Sequence, residues 1–365
     1  MDRLTLGNTE KGMSNLLEQI TDESQLQVAW KLVKANRGAA GVDGKTLDKF
    51  ESKLKEELTR LRQEVLAWTY RPQAVRRVEI PKPGSREKRK LGIPTVRDRV
   101  LQQSIRLSLE PLYEPEFSEW SFGFRPGRGQ QAAIEAAQRM IASGKDWVVD
   151  IDLEKFFDRI NHDRLIQTLK LKVKDKRVLR LIGMTLRSGV MCRGNYEDTT
   201  EGSPQGSPLS PLLSNIVLDE LDKELEKRGL MFCRYADDAK IFVGSRKAGN
   251  RVMRSISTLI EKRLKLLVNK TKSQVAPAKE VTFLGFVVLG KEVLISPKSL
   301  KRANAKLREL IPRRTNVTFE HQIERFNQWY RGWASYYKLT SYPDQLYWVE
   351  AHARRRFRAQ FVRNA

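Results

Sequence analysis

Apolar residues recur at every third or fourth position through Leu47, Phe50, Leu54, Leu58, Leu61 and Val65, which predicts an amphipathic helix over 46–67. The same reading predicts helices over 97–110, 130–142, 211–228 and 248–266, and a helical stretch over 161–187 with many cationic positions. Alternation of two replaces it in "WVVDIDL" (147–153), a strand, and around the turn in 231–243, a hairpin. "VTFLGFVV" (281–288) reads as strand and turn, and short β-like pieces flank a Pro/Gly turn in "AVRRVEIPKPGSREKRKLGIP" (74–94). "RGAAGVDG" (37–44) and "SFGFRPGRG" (121–129) are glycine-punctuated loops, and "GSPQGSPLSPLLSN" (202–215) is a turn-rich lead into a helix. At about Pro297 the character changes. Leu300, Asn304, Leu307 and Ile311 mark one helix, Ile323, Phe326, Tyr330, Trp333 and Tyr337 a second, and Leu346, Val349, Ala353 and Phe357 a third. The expected fold class is α+β, with a small helical appendage on a mixed body.

Composition narrows the partner. With 365 residues, 40% of them hydrophobic, the chain can bury a core and divide into two or three subdomains. Its 68 Lys and Arg against 44 acids give a formal charge of +24, which favours a polyanion. The excess is spread along the chain, and 297–365 alone carries 15 basic and 5 acidic residues. An anionic membrane is the competing target, but no apolar run approaches the ~20 residues of a spanning helix and no signal-peptide pattern opens the chain. Cys192 and Cys233 lack CxxC spacing and the three histidines lie far apart, so neither a disulfide framework nor a zinc site is supported. His162 and His352 have no partner pattern. A cytoplasmic protein is expected.

The carboxylates give the chemistry. In "VVDIDLEKFFDRI" (148–160), alternation puts Val149, Ile151 and Leu153 on one face and Asp150 and Asp152 on the other. Like charges on one face are costly unless cations or positive side chains neutralise them. Magnesium suits the task, being a hard ion that takes a few carboxylates plus substrate phosphates. "CRYADDAKIF" (233–242) sets Asp237 and Asp238 at the tip of the hairpin. Asp152 and Asp237 are the expected shared ligands of two ions about 4 Å apart, which activate a 3′-hydroxyl and stabilise leaving pyrophosphate. Neighbours on a strand point oppositely, so Asp238 joins the same centre only if the turn redirects one of the pair. A hydrolytic two-metal nuclease uses the same carboxylates, and capping or turn aspartates are the bland alternative.

The motifs together resemble a known family. "YADD" (235–238), "DLEKFFDRI" (152–160) and "SPQGSPLSPLLSNI" (203–216) are similar to the palm motifs of reverse transcriptases. "IPKPGSREKRKLGIPTVRDRVLQQ" (80–103) and "SFGFRPGRG" resemble the fingers of the group II intron-encoded branch, and "FNQWYRGWASYY" (326–337) resembles its thumb, or maturase, domain. The resemblance runs over about residues 12 to 350, in the family's order. It implies a right-hand polymerase: an N-terminal extension and start of fingers (1–72), fingers (73–146), a palm with an antiparallel sheet flanked by helices (147–296, with fingers-side helices at about 161–200) and a three-helix thumb (297–365).

It further implies two Mg2+ ions, with Mn2+ as a substitute, on Asp152 and Asp237 with Asp238 beside them. Phe157, five positions beyond the first aspartate, matches the aromatic that blocks a ribose 2′-hydroxyl, leaving Phe156 as a core ring. Lys82 and Arg89 match the cations that clasp the incoming triphosphate, with Arg86, Lys88 and Lys90 as alternatives or template contacts. Gln205 and Gly206 match the floor under the nascent base pair, and Ala236 a small residue beneath the primer–nucleotide junction. Lys270 or Lys272 approaches the triphosphate, and "FLGF" (283–286) resembles the hairpin that holds the primer end. Arg125 and Arg128 are expected on nucleic acid, as are Arg325, Arg331, Arg354, Arg355, Arg356 and Arg358; the last four make either an RNA- or duplex-binding face or an exposed basic end.

The implied substrates are an RNA template with a DNA primer and dNTPs, and the implied partner is group II intron RNA, in aid of splicing. The alternatives are an intron-binding maturase without significant polymerisation, or a domesticated relative used in repair or phage defence. The chain departs from the full-length family pattern after Ala365, and no HNH-like or zinc-ligand spacing is present, so second-strand cleavage is not expected.

Overall fold

The computed structural model describes residues 15–81 and 88–364. Among them the strands are β1 (Val75–Pro81), β2 (Lys88–Ile93), β3 (Trp147–Ile151), β4 (Val190–Cys192), β5 (Asn195–Glu197), β6 (Met231–Tyr235), β7 (Asp238–Val243), β8 (Gln274–Pro277), β9 (Phe286–Leu289) and β10 (Glu292–Ile295). Numerous helices accompany these mostly antiparallel sheets, an α+β fold as expected. The chain divides into two compact units: residues 1–127, 153–224 and 257–269 form the first, and residues 128–152, 225–256 and 270–365 the second.

The first unit holds the sheet β2-β1-β4-β5, in which β1 and β2 are antiparallel and β1 and β4 parallel. Helix Val96–Tyr113 is its spine. Thr95 caps it by accepting from the Asp98 amide, and Val96, Val100, Leu101, Ile105 and Leu109 are buried. The "RGAAGVDG" loop lies against this helix: the Ala39 carbonyl accepts from Arg99, and a Cβ on Gly41 would stand 2.6 Å from the Thr95 backbone.

Two long helical expectations break in the middle. The stripe through 46–67 is kept, but as helices Leu47–Glu51 and Leu54–Leu66. Ser52 donates its hydroxyl to the Lys49 carbonyl, a local bond that competes with helix propagation. The 161–187 stretch divides into His162–Lys170 and Lys176–Leu186, because Asp175 leaves the helical region and caps the second piece through the Arg177 amide. Expected helix 248–266 is an α-helix over Arg246–Leu259 that continues as a π-turn, Ile260–Leu264.

The second unit is built on the antiparallel sheet β6-β7-β3-β8. One face carries Val149, Val243 and Val275 against helix Arg246–Leu259. There a Cβ on Gly249 would meet those three side chains at 2.5–3.6 Å, so the helix seats closely only with glycine. "FLGF" is a two-residue hairpin loop: Leu284 and Gly285 both have positive φ (49° and 85°), and the Phe283 and Phe286 backbones exchange both hydrogen bonds. The three C-terminal helices, Pro297–Leu310, Phe319–Tyr337 and Asp344–Asn364, pack around Ala303, Leu307, Leu310, Ile311, Phe326, Val349 and Ala353.

Candidate active site

Register and strand parity assemble the acidic site. β3 runs antiparallel to β7 with Val148 opposite Phe242 and Asp150 opposite Lys240. The last registered pair is Ile151–Ala239, with Asp152 following β3 and Asp238 opening β7. Each acid is the immediate chain neighbour of one member of that pair, so the two lie at the same end of the sheet. Residues two apart share a face, and this face changes along its length from buried Val148 and Phe242 to Asp150, Lys240, Asp152 and Asp238.

The expected acidic face is thus only partly acidic. Lys240 sits within it, 5% exposed, with its ammonium 2.5 Å from Asp150 Oδ1 and 2.5 Å from Asp238 Oδ1. Burial opposes the Lys240 charge, but Asp238 and Asp150 together overcome it and raise its pKa. Asp238 keeps 39% of its side-chain surface open. Crowding by protein atoms nevertheless desolvates its carboxyl and, against the pull of Lys240, raises its pKa above the usual range.

The turn answers how Asp237 and Asp238 serve one end. Tyr235 and Asp238 are the last pair of the β6–β7 hairpin, leaving Ala236 and Asp237 as its two-residue loop. Of these, Ala236 alone has positive φ (57°), the sign pattern of a type II′ turn, where glycine is usual. The cost of alanine there is about 1–2 kcal/mol. The turn is braced from the other face of β6 by Arg234, 1% exposed, which donates to the Ala236 carbonyl at 2.8 Å. Asp152 is held by its backbone: its amide donates to Ser273 Oγ at 3.0 Å, just before β8. Lys270 and Lys272 lie exposed on the turn leading to that serine.

Two or more hard carboxylates on an accessible sheet end, with one buried ammonium against several negative charges, fit divalent ions in kind. Among the described residues no group of three or more His, Cys, Asp or Glu side chains is placed to hold a metal ion.

The remaining expected residues lie in several settings. Phe156 is buried and Phe157 half-buried, their rings edge to face at 5.2 Å. The Gln205 carbonyl accepts from the Gly92 amide at 2.7 Å. Gly206 has φ 118°, and a Cβ there would stand 2.6 Å from the Gly92 carbonyl oxygen, so this close approach requires glycine. Arg89 is exposed on β2, whereas Lys82 and Arg86 lie outside the described residues.

Two of the expected nucleic-acid contacts donate to carbonyls of the protein itself. Arg125 is buried; its guanidinium pairs with Glu114 and donates to the carbonyls of Ser118, Ser121 and Glu114, shaping its own loop. Arg356 is half-buried and donates twice to the carbonyl of Ile311, the residue that follows helix Pro297–Leu310. Arg325, Arg331, Arg355 and Arg358 are exposed, Arg128 is half-buried, and Arg354 is exposed beside Glu350.

Sequence reasoning missed Lys240, Arg234 and Ser273. Parity held the signal for the first: "DDAK" puts Lys240 on the face of Asp238. It also named no side chain in a cavity of about 1290 Å³ in the first unit, lined by Arg71, Lys170, Lys174, Lys176, Arg180 and Arg187 among others.

Comparison with known proteins agrees with this architecture. Residues 80–288, more than half of the chain, match the reverse transcriptase (RNA-dependent DNA polymerase) family, and 300–364 match the group II intron maturase-specific domain. Protein YkfC of Escherichia coli is 31% identical over 77% of this chain and 83% of its own. Group II intron-encoded protein LtrA of Lactococcus lactis is 35% identical over 73% of this chain, and the match spans 43% of LtrA. The putative COX1/OXI3 intron 2 protein of Saccharomyces cerevisiae is 34% identical over 72% of this chain and 30% of its own. By these matches and its palm motifs, the chain belongs to the group II intron-encoded reverse transcriptase and maturase family.

Proposed function

We propose that the protein is an RNA-directed DNA polymerase that extends a primer 3′-hydroxyl with dNTPs and also binds group II intron RNA. The observation that carries this reading is that Asp152, just past β3, and Asp237, in the β6–β7 turn, lie at one end of the sheet. A metal-free RNA-binding role gives no reason for that arrangement.

Asp152 and Asp237 would hold the divalent ions. When bound, these supply activation of the primer hydroxyl and charge stabilisation on the transferring phosphate. The protein's own share is placement. The II′ turn and Arg234 fix Asp237, Ser273 fixes the backbone at Asp152, and exposed Lys270 or Lys272 on the adjacent turn meets triphosphate charge. Phe157 presents a flat apolar wall suited to a 2′-deoxy sugar, and Gly206 lets the backbone approach a base pair. Arg89, with Lys82, clasps the triphosphate, where fixed cations act on developing charge.

The +24 charge supports a polyanionic partner, and the exposed arginines of the C-terminal helices supply phosphate contacts there. No helix among the described residues is long and apolar enough to cross a membrane. Primer extension on matched RNA and DNA templates with Mg2+ tests the reading. Extension on RNA with dNTPs is expected; binding of both templates without extension on either would leave an RNA-binding maturase instead.

A further inference from the structure

Lys240 has no part in the chemistry described so far, yet it touches two acids of the sheet end at once. Its ammonium bridges Asp150 on β3 and Asp238 on β7, and it lies 5.8 Å from the centre of the Phe283 ring, at the start of the "FLGF" hairpin. Stability alone is a weak reason for this arrangement. Buried ion pairs lose in desolvation much of what they gain in attraction, and apolar residues of similar volume often serve as well. The placement matters more. Asp238 opens β7 at the sheet end that Asp152 follows, and it has two competing claims on it, the ammonium and any divalent ion.

We propose that Lys240 is a positioning residue that holds the Asp238 carboxylate back on the sheet, outside the divalent-ion donor set. The inference rests on the metal-dependent reading above. In this arrangement Asp150 anchors the ammonium on β3, and the ammonium in turn ties the β6–β7 hairpin to that strand, which fixes the spacing of Asp237 from Asp152. Asp238 acts through Lys240 rather than on substrate.

Mn2+ binding to the full chain, read by electron paramagnetic resonance without nucleotide, tests this. Replacing Lys240 alone would also alter the field at the site, so the informative variant is charge-conserving. Asp150→Asn with Lys240→Met removes one charge of each sign and releases Asp238. Its Mn2+ affinity is expected to rise about tenfold, because the number of charged oxygen ligands sets the affinity of such sites. Adding Asp238→Asn should return it to the wild-type value. An unchanged affinity in the double variant, with Asp237→Asn weakened, overturns the role of Lys240. An unchanged affinity in Asp237→Asn overturns the metal reading itself, a separate result. Should the double variant fail to fold by circular dichroism, wild-type crystals soaked in Mn2+ decide the matter. Anomalous density on Asp152 and Asp237 with Lys240 still on Asp238 supports the proposal; density on Asp238 with Lys240 displaced overturns it.

Discussion

The sheet end and the C-terminal helices of the second unit solve opposite problems. The sheet end sets Asp150 and Asp238 on one buried ammonium, beside a turn with alanine at φ 57°. The helices gather rings: Phe326 stacks on Tyr330 at 5.4 Å and meets Phe357 edge-on at 5.9 Å, with Trp329 and Trp333 continuing the row. One region concentrates charge and strain that cost stability, and the other concentrates apolar burial that supplies it. Substitutions in the first should therefore act on chemistry before stability, and in the second on stability before chemistry.

The largest stability effect should come from the ring cluster. Phe326→Ala removes a buried ring and is expected to cost about 3–5 kcal/mol, measured by denaturant unfolding. Mn2+ affinity at the carboxylates should not change; a parallel loss would break the contrast between the two regions.

A smaller effect belongs to Tyr336, whose hydroxyl donates to the Leu284 carbonyl at 3.0 Å while its ring stacks on Phe286. Burial, with Tyr337 and Tyr235 nearby, raises its pKa to about 12. Because the folded value lies above the unfolded one, this contribution is fully present below pH ~10 and is lost as pH rises through about 12. Tyr336→Phe should cost about 0.5–1.5 kcal/mol at neutral pH and flatten the alkaline limb of the stability profile. An identical limb in both proteins would assign it elsewhere, Lys240 being the next group to examine.

The smallest effect is at the turn. Ala236→Gly relieves the positive φ and should raise stability by at most about 1 kcal/mol, while the looser turn slows nucleotide incorporation. Faster incorporation would mean that the strained turn does not position Asp237.

Much of this was legible in the sequence because it rests on short-range regularities. Period two exposed β3 and the hairpin, three-and-four spacing found the C-terminal helices, and motif order gave the family. The remainder depended on partners distant in sequence. Lys240 acquires its role only when β3 and β7 are in register. Arg125 reads as a loop cation until Glu114 and three carbonyls are seen to surround it, and Arg356 reads as one of four surface arginines until helix Pro297–Leu310 ends beneath it. The break at Ser52 left the apolar stripe intact, so periodicity could not reveal it. Lys82, expected as a triphosphate cation, falls outside the described residues.

The most direct test of the account is single-turnover incorporation of one dNTP by Asp237→Asn on an RNA template, with RNA affinity measured on the same preparation. A fall of about a thousandfold, or ~4 kcal/mol of barrier, with RNA affinity retained is the expected result. Incorporation at the wild-type rate would contradict it, because the sheet end would then hold nothing that the reaction needs.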